Sequence, residues 1–144
     1  MIRVLVTGAG GQLGQHLRES TSEYPDMDFT FVSKEELDIT DEIALDTFFN
    51  ANPVDFCINT AAYTDVDGAE KLAEEAFRVN ANGVKLLALL CHKHHVTLVQ
   101  ISTDYVFDGK KEEGYYPEDE TNPINVYGAS KLQGETYIRA VSYT

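Results

Sequence analysis

The chain has 144 residues, 43% hydrophobic and 24% charged, which suits one globular domain with a sizeable core. Its formal net charge of −13 at pH 7 argues against nucleic acid and anionic membranes as partners, although local amides and a few cations can still hold a small anionic cofactor. Two cysteines, Cys57 and Cys91, make no disulfide framework, no apolar run is long enough for a bilayer, and no basic segment precedes a hydrophobic stretch, so a cytoplasmic protein without a signal peptide is expected.

In chain order, Arg3 to Thr7 is a short β-branched apolar run that reads as a buried strand. It breaks at Gly8, Gly10 and Gly11, and helical spacing resumes through Leu13, His16 and Leu17 as far as about Ser22. Phe29 to Ser33 reads as the second strand, after a turn at Pro25 and Asp26. Asp38 to Asp41 opens another helix, with Thr40 or Asp41 as N-cap, which stops near Asn50 to Pro53. Asp55 to Thr60 is the third strand, and Ala69 to His92 is one long helix or two abutting ones. Val96 to Ser102 is the fourth strand, Phe107 to Pro123 a loop, and Val126 to Val141 a final helix. Strands alternating with helices imply an α/β fold: a doubly wound, Rossmann-like parallel sheet with helices on both faces. Four strands are countable where a complete dinucleotide fold has about six, so the sheet is expected to be incomplete at its C-terminal side.

Ligands of such sheets bind beyond the carboxyl ends of the strands, and the chemistry-bearing residues fall there. A strand, a glycine turn and a helix start in succession suit a dinucleotide pyrophosphate. Gly8 permits the tight turn, Gly11 keeps a side chain from between backbone and phosphate, and Gly14 lets helix and strand approach. Tyr127 and Lys131 lie four apart on the last helix and so share a face. A cation beside a phenol favours the phenolate, so such a tyrosine can give a proton to a carbonyl oxygen while a hydride reaches carbon. Ser102 and Thr103, at the mouth of the fourth strand, offer the hydroxyl that would orient that carbonyl; they alternate in direction, so one of them faces the site. Cys91 to His95 ends a helix, where such side chains suit the terminal carbonyls, and no metal is expected there. The charged segment Lys110 to Glu120 reads as a solvated loop, with a substrate lid as the sharper alternative.

The spacing of Gly8, Gly11 and Gly14 after Thr7 resembles the extended short-chain dehydrogenases/reductases. Residues 59–70, Val79 with Asn80, residues 102–109 and residues 123–128 together resemble the dTDP-4-dehydrorhamnose reductase family, over nearly the whole chain. That resemblance implies reduction of the 4-keto group of dTDP-4-dehydro-L-rhamnose to dTDP-L-rhamnose, with NADPH or NADH as cofactor and a small nucleotide sugar as substrate. It implies Tyr127 as proton donor, Lys131 as its partner and ribose ligand, and Thr103 as the carbonyl-orienting hydroxyl. Gly11, Gln12 and Leu13 would wrap the pyrophosphate, Asp38 and Ile39 flank the adenine, and Ala61, Ala62 and Tyr63 carry the ribose and nicotinamide side. Asp104 and Tyr105 would lie near the sugar, and Asn80 matches a structural helix asparagine. At the end of the second strand Ser33, followed by Lys34, sets no carboxylate against a 2′-phosphate, which leans to NADPH or dual use. Similar enzymes are two-domain proteins about twice as long, so the C-terminal substrate domain is expected to be absent from this chain, and the piece alone weakly active or inactive. A nucleotide-sugar epimerase or dehydratase, and a non-catalytic regulatory subunit that keeps the fold, are the competing readings; a homodimer is left open.

Overall fold

A computed structural model describes residues 1–142. Four strands, β1 (Ile2–Thr7), β2 (Met27–Val32), β3 (Phe56–Asn59) and β4 (Thr97–Gln100), form one parallel sheet in the order β2-β1-β3-β4. The register sets Val4 opposite Phe29 and Phe56, and Leu5 opposite Thr30 and Cys57. Because side chains alternate along a strand, Leu5 and Cys57 point to one face and Val4 and Val6 to the other.

The face of Leu5 and Cys57 carries the main core. It is closed by α2 (Glu42–Ala51) through Leu45 and Phe49 and, further along the chain, by α5 (Val84–Lys93) through Leu87, Leu90 and Cys91. Helix α1 (Gln12–Ser20) follows β1 and covers the opposite face, where the Arg18 guanidinium lies 4.5 Å from the Phe31 ring centroid. Asp41 starts α2 by accepting the Ala44 N–H at 2.9 Å. The two cysteines are buried and unbridged; contact with the Cys91 thiol and burial push the Cys57 thiol well above its ordinary range, which leaves it inert.

Between β3 and β4 the helical stretch is more divided than its composition implies. A short α3 (Val66–Ala69), capped by Asp65, precedes α4 (Ala73–Phe77), and a π-helical turn over Arg78–Gly83 joins α4 to α5. The extra residue of a π turn rotates side chains relative to a regular helix, and here it buries Asn80, 1% exposed, towards the last helix, α6 (Val126–Ser142). Helix α6 packs closely on that turn because Gly134 lies against the Asn80 carbonyl, with no room for a Cβ. Among the described residues no helix is long and apolar enough to cross a membrane.

Candidate functional site

The carboxyl ends of the strands open on a cleft of about 660 Å³ that runs from the end of β2, over the glycine turn, to α6. Its floor is the turn itself. Gly8 has φ +71°, and a Cβ there would strike the Ala61 backbone. A Cβ on Gly14 would sit 2.7 Å from the Ala9 Cα and 2.8 Å from the Gly8 carbonyl oxygen, so Gly14 packs helix on strand and does not line the cleft. Gly11 lines the cleft, but its N–H is committed to the Gly8 carbonyl at 3.0 Å. The unobstructed approach is at Gly10, which lines the cleft and has nothing within 4 Å of its Cβ direction. Gly11 is the N-cap of α1 and makes no side-chain cap, so the amides of Gln12, Leu13 and Gly14 lack intrahelical acceptors; Gln12 and Leu13 line the cleft. Such amides and the helix dipole favour an anion.

Beyond β2 the rim is formed by Ser33, Lys34, Glu35, Asp38 and Ile39. Position 33 carries no acid, yet the Glu36 carboxylate folds back to accept the Ser33 N–H at 2.7 Å, and Glu35 lines the cleft. Backbone and Ser33 hydrogen bonds hold both glutamates below the usual carboxylate range. The rim is therefore mixed in charge, with Lys34, Glu35 and Asp38 all lining it, and not free of acids as the residue at 33 alone implies. Burial would raise Asp38, but bonds from the Thr40 N–H (2.9 Å) and hydroxyl (2.7 Å), with Lys34 and Arg78 nearby, hold it low. Arg78 grips Glu75 at 2.8 and 2.7 Å and donates to the Thr40 hydroxyl at 2.6 Å, which ties the π turn to the rim.

Ala61, Ala62 and Tyr63 line the cleft beyond β3. Asn80 fixes this wall: its Oδ1 accepts the Tyr63 N–H at 2.8 Å, and its Nδ2 donates to the Tyr63 carbonyl at 2.9 Å and to the Ser130 hydroxyl at 3.0 Å. Ser130 in turn donates to the Tyr127 carbonyl at 2.7 Å, so one buried amide connects the β3 loop to the helix that bears Tyr127.

Tyr127 and Lys131 line the cleft from α6, whose first turn is capped by Asn125 through the Gly128 N–H at 2.7 Å. Lys131 is 6% exposed, and its ammonium donates to the Ile101 carbonyl at 2.7 Å. Burial pushes it down to about 8, against an opposing pull from Glu135. A buried lysine shifted in this way beside a tyrosine in a cleft is the kind of group that functional sites contain. Ser102 lines the cleft, but Thr103, Asp104 and Tyr105 do not. Thr103 instead caps a short 3₁₀ turn, Asp104–Val106, by accepting the Tyr105 N–H at 3.2 Å. The Tyr105 ring meets Tyr127 edge-on, with centroids 5.7 Å apart.

Sequence reasoning missed Gly10, Glu75 and the Ser102 contact with Glu135: the open space at Gly10 and the place of Glu75 on the cleft wall depend on how the elements meet, and the last is a contact across 33 residues. The loop beyond the 3₁₀ turn is internally tied: Tyr115 stacks on Phe107 at 4.3 Å and donates to Asp108 at 2.8 Å, and Lys111 pairs with Asp119 at 2.6 Å. No residue of 107–123 lines the cleft in this conformation. His94 pairs with Asp46 at 2.8 Å and stacks on Phe49, and among the described residues no group of three or more His, Cys, Asp or Glu could hold a metal ion.

Residues 2–144 match the family described as RmlD substrate binding domain. The chain is 43% identical over 142 residues to a dTDP-4-dehydrorhamnose reductase of Mycobacterium tuberculosis, covering 96% of this chain and 46% of that protein. It is 39% identical to the enzyme of that name from Aggregatibacter actinomycetemcomitans, covering 99% of this chain and 48% of the relative. The fold superimposes on dTDP-4-dehydrorhamnose reductase from Bacillus anthracis in complex with NADP, with a TM-score of 0.93, 40% identity, and coverage of 98% of this chain and 50% of that one. The chain thus spans about half the length of these relatives.

Proposed function

The chain belongs to the RmlD substrate binding domain family, and on that premise we propose that it holds NADPH or NADH across its strand ends and carries the proton-donating part of a nucleotide-sugar reductase. In this reading residues 1–144 form the dinucleotide-binding domain. The substrate of the whole protein is dTDP-4-dehydro-L-rhamnose, whose 4-keto group is reduced. The observation that carries the reading is the meeting, in one cleft, of the α1 amides with Tyr127 and the buried Lys131.

The residues present fit such a cofactor. Gln12 and Leu13 offer amides without intrahelical acceptors, and Gly10 leaves the approach to them open. In the proposed arrangement these amides bind the pyrophosphate, Asp38 and Ile39 flank the adenine, and Lys34 lies among the acids near the adenosine ribose. That mixed rim supports use of either cofactor. When bound, the reduced nicotinamide supplies the hydride that the 4-keto carbon accepts.

Lys131, held by the Ile101 carbonyl, would donate its remaining ammonium protons to the ribose hydroxyls and stands as a cation one helical turn from Tyr127. Tyr127 gives its phenolic proton to the carbonyl oxygen as negative charge develops there. Thr103 and Tyr105, outside the cleft in this conformation, are assigned to the sugar side with Asp104; Thr103 would donate its hydroxyl proton to the carbonyl in place of Asp104 Oδ1, which it meets at 3.4 Å here, while still accepting the Tyr105 N–H. The test is Tyr127→Phe in a chain of the relatives' full length, where turnover should fall about 10²- to 10⁴-fold while NADPH affinity is retained. Unchanged turnover would refute the assignment.

A further inference from the structure

Two successive residues at the end of β4 are gripped by two side chains one turn apart on α6. Lys131 donates to the Ile101 carbonyl at 2.7 Å, and the Ser102 hydroxyl donates to Glu135 Oε1 at 2.5 Å. The other oxygen of Glu135 meets Arg139 Nη2 at 3.4 Å. The Ser102 hydroxyl is thereby committed: Ser102 lines the cleft, but its proton goes to Glu135 and not to a ligand. Lys131 and Glu135 are an i,i+4 pair and so lie on one face of the helix, close enough for one charge to act on the other.

We propose that Glu135 is a positioning residue for the cleft: its carboxylate clamps Ser102 to α6 and supplies the negative charge that stands behind the buried Lys131 ammonium. A lysine removed from water loses its hydration, and the Ile101 carbonyl restores one hydrogen bond but no countercharge. Glu135 provides that charge from outside the cleft, while Lys131 lines the cleft and holds the Ile101 carbonyl.

The other charged groups on elements packed against α6 are differently engaged. Arg78 of the π turn is held by Glu75 of α4, and Lys85 of α5 lies over the Tyr137 ring at 4.9 Å. Glu70, after α3, accepts the Val126 N–H at 2.9 Å, and Asp104 of the 3₁₀ turn meets the Thr103 hydroxyl. Lys93 of α5 pairs with Asp46 at 2.8 Å, and His92 of α5, Glu74 of α4 and Asp67 of α3 are the remaining charged or imidazole side chains on those helices. Glu135, by contrast, sits one turn from Lys131 on the same helix face, and its negative charge opposes the effect of burial on the ammonium.

The consequence for catalysis rests on the function proposed above, but the charge that Glu135 sets on Lys131 can be tested without it, with Ser102→Ala separating that charge from the clamp. In protein labelled with ¹³C-lysine, the Lys131 side-chain signal, assigned against Lys131→Met, is followed through a pH titration by NMR. The parent should titrate near 8. Glu135→Gln keeps an acceptor for Ser102 but removes the charge, and its Lys131 titration should move to lower pH. Glu135→Ala should move it in the same direction, so the test does not hang on the folding of one variant. Ser102→Ala breaks the bond but keeps the charge, and should titrate with the parent. Coincident titrations of the parent and both Glu135 variants would overturn the proposal. A parent that titrates as expected but binds no NADPH would instead count against the proposed function and leave the Glu135 assignment standing.

Discussion

The burial of Lys131 has a thermodynamic signature with a definite sign. Its folded-state value is pushed from the ordinary 10.5 down to about 8. Between those two pH values the unfolded chain still binds a proton that the folded chain has released, so stability rises with pH across that window. The penalty is fully present below about pH 8 and is relieved as the pH climbs to the unfolded value. At about 1.4 kcal/mol per pH unit this is about 3 kcal/mol for a side chain that is 6% exposed. Lys131→Met keeps the unbranched stem and abolishes the titration. It also strips the Ile101 carbonyl of its donor, at a cost of about 1–3 kcal/mol that does not vary with pH. The difference in urea-unfolding free energy between parent and Lys131→Met should therefore shift by about 3 kcal/mol in the parent's favour between about pH 7.5 and 10.5. Groups remote from Lys131 are common to both proteins and drop out of the difference. Parallel stability curves would show that the amine is solvated and that the reasoning fails.

Two further outcomes follow from packing. Gly14→Val places carbon against the Ala9 Cα and the Gly8 carbonyl, and should lower the unfolding free energy by about 1–3 kcal/mol or more, as read by thermal melting followed by circular dichroism. Asn80→Ala leaves the Tyr63 backbone and the Ser130 hydroxyl without their partner, and should cost about 2–4 kcal/mol in the same assay, with weakened NADPH binding because the β3 loop loses its tie to α6.

The parts of this fold that were legible are those written in local pattern. The run into Gly8, the helix behind it and the four strands each carry their own periodicity, and alternation with helices fixes a parallel sheet. The π turn was not legible: Asn80, Asn82 and Gly83 weaken the helical pattern there, but the extra residue at Arg78–Gly83 goes with the packing of Asn80 against α6, which no local spacing encodes. The site followed the same division. Tyr127 and Lys131 show their shared face by spacing alone. That the Ser102 hydroxyl is engaged by a side chain outside the cleft depended on Glu135, 33 residues further along the chain. The acid character of the β2 rim came from Glu35 and Glu36 folding back on Ser33, and the open approach to the α1 amides fell at Gly10, because the Gly11 N–H closes the turn on Gly8.

A fluorescence titration of NADPH and NADH against the parent and Gly10→Leu tests most directly whether a dinucleotide lies over the glycine turn. Gly10 has open space where a side chain would grow, so the leucine fills the cleft without disturbing the core. Saturable binding by the parent, weakened by about tenfold or more in Gly10→Leu at an unchanged melting temperature, is the predicted result. No binding by the parent, or equal affinity in the two proteins, would contradict it.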